Sequence, residues 1–158
     1  MNIKTQAEIL RNCLAHGLIS LTEVVSWADK SIGQLSKPGI VLIEISMASN
    51  LHINDVINLL RDIPGKVDLQ QVYQGIFSKM KAKMVEEPES EKRIVQALFE
   101  MAMEGEVPDK EAESEMFWFY DALDLAEAEY TGDIGDVRRK LYAFLDNYST
   151  NLVWENDD

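Results

Sequence analysis

A single cysteine, four prolines and eight glycines stand in a chain of 158 residues, and each scarcity excludes something. Cys13 alone cannot form an internal disulfide, which suits a reducing cytoplasm. One cysteine and two imidazoles, His16 and His52, cannot build a sulfur-rich zinc site. No glycine-rich run precedes a helical pattern, so a phosphate-cradling loop is absent. Positive charge is also short: Lys plus Arg number 15 against 28 Asp plus Glu, for a formal charge of −13. Such a balance argues against a nucleic-acid partner, which needs a basic face to displace counterions, and against docking on an anionic leaflet. No apolar run approaches the roughly 18–20 residues that cross a bilayer. The start, Met1-Asn2-Ile3-Lys4-Thr5-Gln6, lacks the apolar core of a signal peptide, so a cytoplasmic protein is expected.

What is present is a core. With 46% hydrophobic residues, the length fits one globular domain over residues 1–158. Its charge is uneven: residues 1–79 carry seven basic and seven acidic side chains, whereas residues 80–158 carry eight and twenty-one. Between Glu86 and Asp136, seventeen acids face only Lys92, Arg93 and Lys110. Phe99, Met101, Phe117, Trp118, Phe119, Tyr120 and Leu123 interrupt that stretch, which a solvating acidic tail would not tolerate.

The hydrophobic period is helical nearly throughout, giving an all-α, compact multi-helix domain of about seven helices. A first helix spans about Thr5 to His16, with Gly17 as its left-handed stop. Ser20-Leu21-Thr22-Glu23 reads as a capping box opening a helix that buries Leu21, Val24, Val25, Ala28 and Ile32 and stops at Gly33. The β-branched run Ile40–Ile45 competes between strand and helix; Ala48 and its helical surroundings favour helix. Asn54 is expected to cap a short helix that ends before Ile63-Pro64-Gly65. Asp68 opens a longer one with Leu69, Val72, Tyr73, Ile76, Met80 and Met84 on its core face. Pro88 separates it from a helix carrying Ile94, Ala97, Leu98 and Met101, which ends near Gly105. Pro108-Asp109 leads into the longest helix, expected from about Lys110 to Tyr130, and a last one buries Val137, Leu141, Phe144 and Tyr148. Prolines 38, 64, 88 and 108 are spaced as in stacked helical hairpins, but the side chains between them do not repeat.

Catalytic readings find little support. A dyad of Cys13 with His16 or His52 lacks a recognisable catalytic sequence, and free cysteine is commonly core. Acids spaced three or four apart, as in magnesium-dependent helical nucleotide hydrolases, occur at Glu100 and Glu104 and at Asp121, Asp124 and Glu127. At 100° per residue, however, Asp121 to Glu127 spread over about 120°, too wide for one tight cluster. The residues therefore point to no enzyme and to no cofactor or metal.

Met116–Asp121 is the most informative segment. Phe119, Tyr120, Leu123 and Tyr130 fall within about 60° of Met116 on a helical wheel, as a core stripe does. Trp118 and Leu125 lie on the opposite side, near 180–200°, with acids around them. Either the helix is buried on both sides, the commoner fate of aromatics, or Trp118 is presented outward as an interface anchor. The triplet Leu152-Val153-Trp154 is expected to dock back on the domain. The run Arg138-Arg139-Lys140 opposes the dipole at the start of the last helix, so pairing with acids of the preceding helix is expected.

A small helical chain with a concentrated negative field and no catalytic signature suggests a binding domain for a basic protein. In size, charge and helix content the chain resembles, in type, the acidic helical immunity proteins that bacteria make against their own nuclease toxins. Leu21–Asp29 and Asn58–Gly65 look like segments of small bacterial proteins. The resemblance implies an inhibitor that masks the basic cleft of a nuclease-like toxin. On this reading the partner face comprises Glu111, Glu115, Trp118, Asp121, Asp124 and Glu129. A cytoplasmic adaptor, or a structural homodimer closed by Trp118, is the alternative; the magnesium-dependent hydrolase is the second.

Overall fold

The computed structural model describes residues 1–149 and Trp154. Among them are eight α-helices and one 3-10 turn, and the protein is all-α. They are α1 (Ile3–Ala15), α2 (Leu21–Gln34), α3 (Ile40–Ser46), α4 (Ile53–Asp62), α5 (Leu69–Glu86), α6 (Glu91–Met103), α7 (Lys110–Glu127) and α8 (Ile134–Tyr148), with the turn at Pro88–Ser90. Among the described residues they form two compact units, one over Met1–Ile76 and the other from Phe77 to Ser149. No helix among the described residues is long and apolar enough to cross a membrane.

In the first unit α1 packs on α4 and α2 on α3. The box at Ser20 is complete: the Glu23 amide donates to Ser20 Oγ, and the Ser20 amide donates to the Glu23 carboxylate. The apolar positions Ile9, Leu10, Val24, Ala28, Ile45, Val56 and Leu60 fill the core. Polar side chains tie the ends of these helices. Lys4 Nζ donates to the Arg61 carbonyl at 2.7 Å, Trp27 Nε1 to Gln6 Oε1 at 2.8 Å, and the Asp68 amide to Thr5 Oγ1 at 3.1 Å. Burial alone would raise the Glu8 carboxyl, but hydrogen bonds from Arg11 and Lys4 outweigh it and hold the group below its ordinary value. Gly75 is required by a close approach: a Cβ there would stand 2.3 Å from Ile9 Cδ1.

In the second unit α7 packs between α6 and α8. Phe77, Phe119 and Phe144 are buried at its centre, with Phe77 and Phe119 each meeting the Phe144 ring edge-on at 5.5 Å. The Phe99 ring stacks on Tyr120 at 4.4 Å and meets Phe117 edge-on at 5.6 Å. Glu91 is buried, and Arg138 answers it with two donors, Nε and Nη2.

Several expectations are corrected. The run Ile40–Ile45 is helical, as favoured, but only Leu42 and Ile45 of it are fully buried. His52, not Asn54, caps α4, because its Nδ1 accepts from the Asn54 amide at 3.2 Å. The first helix starts at Ile3 behind an Asn2 cap, and the second continues one residue past Gly33 to Gln34. Leu69 sits in the first turn of α5 and is exposed rather than on the core face. The helix expected to reach Tyr130 stops at Glu127, and Tyr130 is 79% exposed rather than part of the core stripe. Leu152 and Val153 lie outside the described residues; Trp154 is half-buried.

Candidate functional site: the acidic face of α7

Helix α7 begins where its sequence says it should. Asp109 Oδ1 accepts from the Ala112 amide at 2.7 Å, and Glu111 and Glu113 in the first turn favour the positive end of the dipole. Ala112, Met116, Phe119, Leu123 and Ala126 recur at helical spacing and are buried. The remaining arc carries five residues of the partner face inferred from the sequence, and the sixth, Glu129, follows the end of the helix. All six are exposed.

Trp118 decides between the two readings of this helix. Its side chain is 45% exposed and Leu125 is 41% exposed, so the outward arrangement holds and the doubly buried one does not. The indole packs edge-on against Phe119 at 5.2 Å, and the Lys140 ammonium lies 5.3 Å from its centroid. The ring therefore already accepts a cation on its face, as the electron-rich face of tryptophan does best among side chains. Lys140 Nζ is also 3.8 Å from Asp136 Oδ2.

The acids fall into groups around this ring. Glu111 and Glu115 lie two turns and one turn before Trp118, on the flank toward α8. There burial, and then Asp109, Glu115 and Glu111, push the Tyr148 phenol up from its ordinary value. Burial first, then Glu111 and Asp109, raise the Glu115 carboxyl as well. Asp121 points away from the core stripe. Asp124 lies toward α6, where Lys92 pairs with Glu127 at 2.8 Å and feels Asp124 as a further charge. Glu129 lies beyond the end of the helix. The structure thus brings Glu111, Glu115, Trp118 and Asp121 onto one surface, with Asp124 at its α6 edge, and sets Glu129 apart.

Glu129 adopts φ 59°, in the left-handed region. The Tyr130 amide donates to the Leu125 carbonyl and the Glu129 amide to the Ala126 carbonyl, closing α7. The same pair of bonds closes α1 through Gly17 and α6 through Gly105, both at positive φ. An acid therefore occupies a position where glycine fits without strain. Replacing Glu129 with Gly should stabilise the protein by roughly 0.5–1 kcal/mol, read as a rise in Tm of a few degrees. An unchanged or lower Tm would show that the strain is compensated.

The raised Glu115 carboxyl has a sign of its own. The folded state holds that proton more tightly than the unfolded chain does. Stability from protonation is thus fully present below the ordinary carboxylate value and lost as pH rises through the raised one. Glu115→Gln should raise Tm at neutral pH by about 1 °C after solvent screening, with the gain vanishing in acid. Thermal melts across that range check it.

Residues read as candidate chemistry are placed elsewhere. Cys13 is fully buried in α1, closed to any substrate. Glu100 accepts from Gln96 Nε2 at 3.0 Å, and Glu127 is spent on Lys92. A cavity of about 420 Å³ is lined by Met84, Pro88, Glu89, Glu91 and Arg138, but the guanidinium there is held by Glu91.

The basic run also corrects the sequence reading. Arg138 reaches Glu91 of α6, and Arg139 and Lys140 pair with Asp136 of their own helix, not with acids of α7. Lys140 was the functional neighbour that the sequence did not reveal. Its position one turn before Phe144 on a core-facing helix was the available signal. No protein-family model, curated protein or solved structure matches this chain.

Proposed function

We propose that this protein is a non-catalytic binding domain that takes a basic protein partner on the acidic α7 face. The observation that carries the reading is the exposed Trp118, flanked by carboxylates and already holding a lysine ammonium over its ring. A half-exposed tryptophan in a charged surround offers a partner an apolar anchor, while the surrounding field speeds encounter with cationic surfaces. The placement of the acids supports the same reading. Asp124 sits exposed near the negative end of the α7 dipole, with no basic residue in the last turn. An exposed acid set against the dipole of its own helix is an arrangement that a cationic partner would relieve.

The specific form we propose is an immunity-type inhibitor acting in the cytoplasm, whose partner is a toxin with a basic, nuclease-like cleft. Self-pairing through this same face is disfavoured, because it would set the carboxylates of two copies against each other. The test is affinity capture from lysate of the source cells at low and high salt, with wild type and an Asp121→Lys/Asp124→Lys variant side by side. One basic protein held by wild type, partly retained in high salt and missing from the variant, is the expected result. Recovery of the same proteins by both chains would reject the face.

A further inference from the structure

Helix α3 is apolar on two opposite sides, and only one of them is covered. Leu42 and Ile45 are buried, whereas Ile40 is 73% exposed, Met47 72% exposed, and Ile43 lies exposed between them. Positions 40, 43 and 47 fall within about 60° on a helix, so they form one stripe, turned roughly opposite to Leu42 and Ile45. Leu51 in the following turn and Ile53 at the start of α4 are exposed as well. Glu44 is the one charged residue of α3. A solvated helix face is ordinarily polar, and a run of exposed apolar side chains on a folded unit marks an interaction surface.

The charge around the stripe selects the occupant. Residues 1–79 carry equal numbers of basic and acidic side chains, so the excess negative charge of the chain is carried elsewhere in the sequence and not by the residues around this stripe. The stripe is flanked instead by one charge of each sign, Lys37 ahead of α3 and Glu44 within it, both exposed. A twofold interface demands a surface complementary to itself, in which residue i meets j and j meets i. Two α3 helices laid antiparallel meet that demand. Ile40 of each copy covers the Ile43–Met47 side of the other, and Lys37 of each is brought toward Glu44 of the second copy. We infer that a second copy of this chain covers the α3 stripe, through an antiparallel α3–α3 contact. The inference is independent of the partner reading of α7, since it rests on a different helix in the other compact unit.

Five apolar side chains per copy are far fewer than the roughly 20–30 residues a side of a standard interface, so the dimer is weak, with a dissociation constant in the micromolar range. Sedimentation velocity of the full chain, from about one to several hundred micromolar, reads it directly. Wild type is expected to shift from monomer to dimer across that range. The shift should strengthen with salt, because two copies of charge −13 repel at low ionic strength. Ile40→Glu/Met47→Glu should stay monomeric with an unchanged helical circular-dichroism signal, since both side chains already face water. Lys37→Glu and Glu44→Lys should each weaken the dimer by several-fold, and the double exchange should restore it. A wild type that stays monomeric throughout, or an Ile40→Glu/Met47→Glu variant that dimerises as wild type does, overturns the inference. So does a charge exchange that fails to restore association.

Discussion

Reversing Asp121 and Asp124 to lysine is expected to slow association with a basic partner by about 10-fold or more at low salt, and to flatten the salt dependence of the rate. Each reversal replaces a negative charge with a positive one on a surface where both side chains stand in water. Steering of this kind alters encounter far more than dissociation. Folding should hardly notice. At position 124, in the last turn, lysine is favoured by the negative end of the α7 dipole, and repulsion from nearby Lys92 offsets that gain. The net change should stay within about 0.5 kcal/mol, as for most exposed substitutions. The signature is therefore a large kinetic loss beside an unmoved Tm. Stopped-flow association and a thermal melt on the same samples give both numbers. A double variant that associates as fast as wild type would remove this face from the account.

Trp118→Ala should weaken the complex by about 2 kcal/mol or more, roughly 30-fold in Kd, and mainly by faster dissociation. The reasoning differs from that for the acids. The indole presents an aromatic face to solvent and braces its edge on Phe119, so it enters an interface already ordered and loses little rotamer freedom. Its ring also has Lys140 near it, which competes with a partner's arginine or lysine for the aromatic face. Removing that internal competitor by Lys140→Met should leave the ring open and tighten binding slightly. A loss confined to the association rate in Trp118→Ala would mean that the ring lies outside the contact.

How much of this was legible follows the range of each interaction. The capping box at Ser20 and the glycine stop at Gly17 were readable because both signals lie within a few residues of the element they control. The start of α7 was readable for the same reason, through Asp109. Its end was not. Glu129 takes the left-handed conformation that glycine announces elsewhere in this chain, so the helical period ran on in the sequence to Tyr130. The His52 cap was missed because a ring nitrogen, not the expected asparagine amide, accepts the hydrogen bond.

The candidate face shows the same limit. A helical wheel placed Trp118 and Leu125 on the side opposite the core stripe, and both are exposed there, but angle alone does not say which neighbour covers a side. That depended on Lys140, twenty-two positions away in sequence. The Glu91–Arg138 pair, separated by 47 positions, took one member of the basic run away from the acids of α7 for the same reason. On α3 the apolar residues were visible in the sequence as a continuous run. Their division into a covered side and an open one appears only once α2 and α4 are in place.

The central claim is that α7 is the partner face, and a titration of the isotope-labelled full chain with the captured basic protein tests it most directly. Amide and indole resonances are followed by two-dimensional NMR. The account predicts that the Trp118 indole N–H and the amides from Glu111 to Asp124 shift or broaden first, while the Trp27 indole, hydrogen-bonded to Gln6, stays in place. Perturbations that leave α7 untouched and gather on another surface would contradict it.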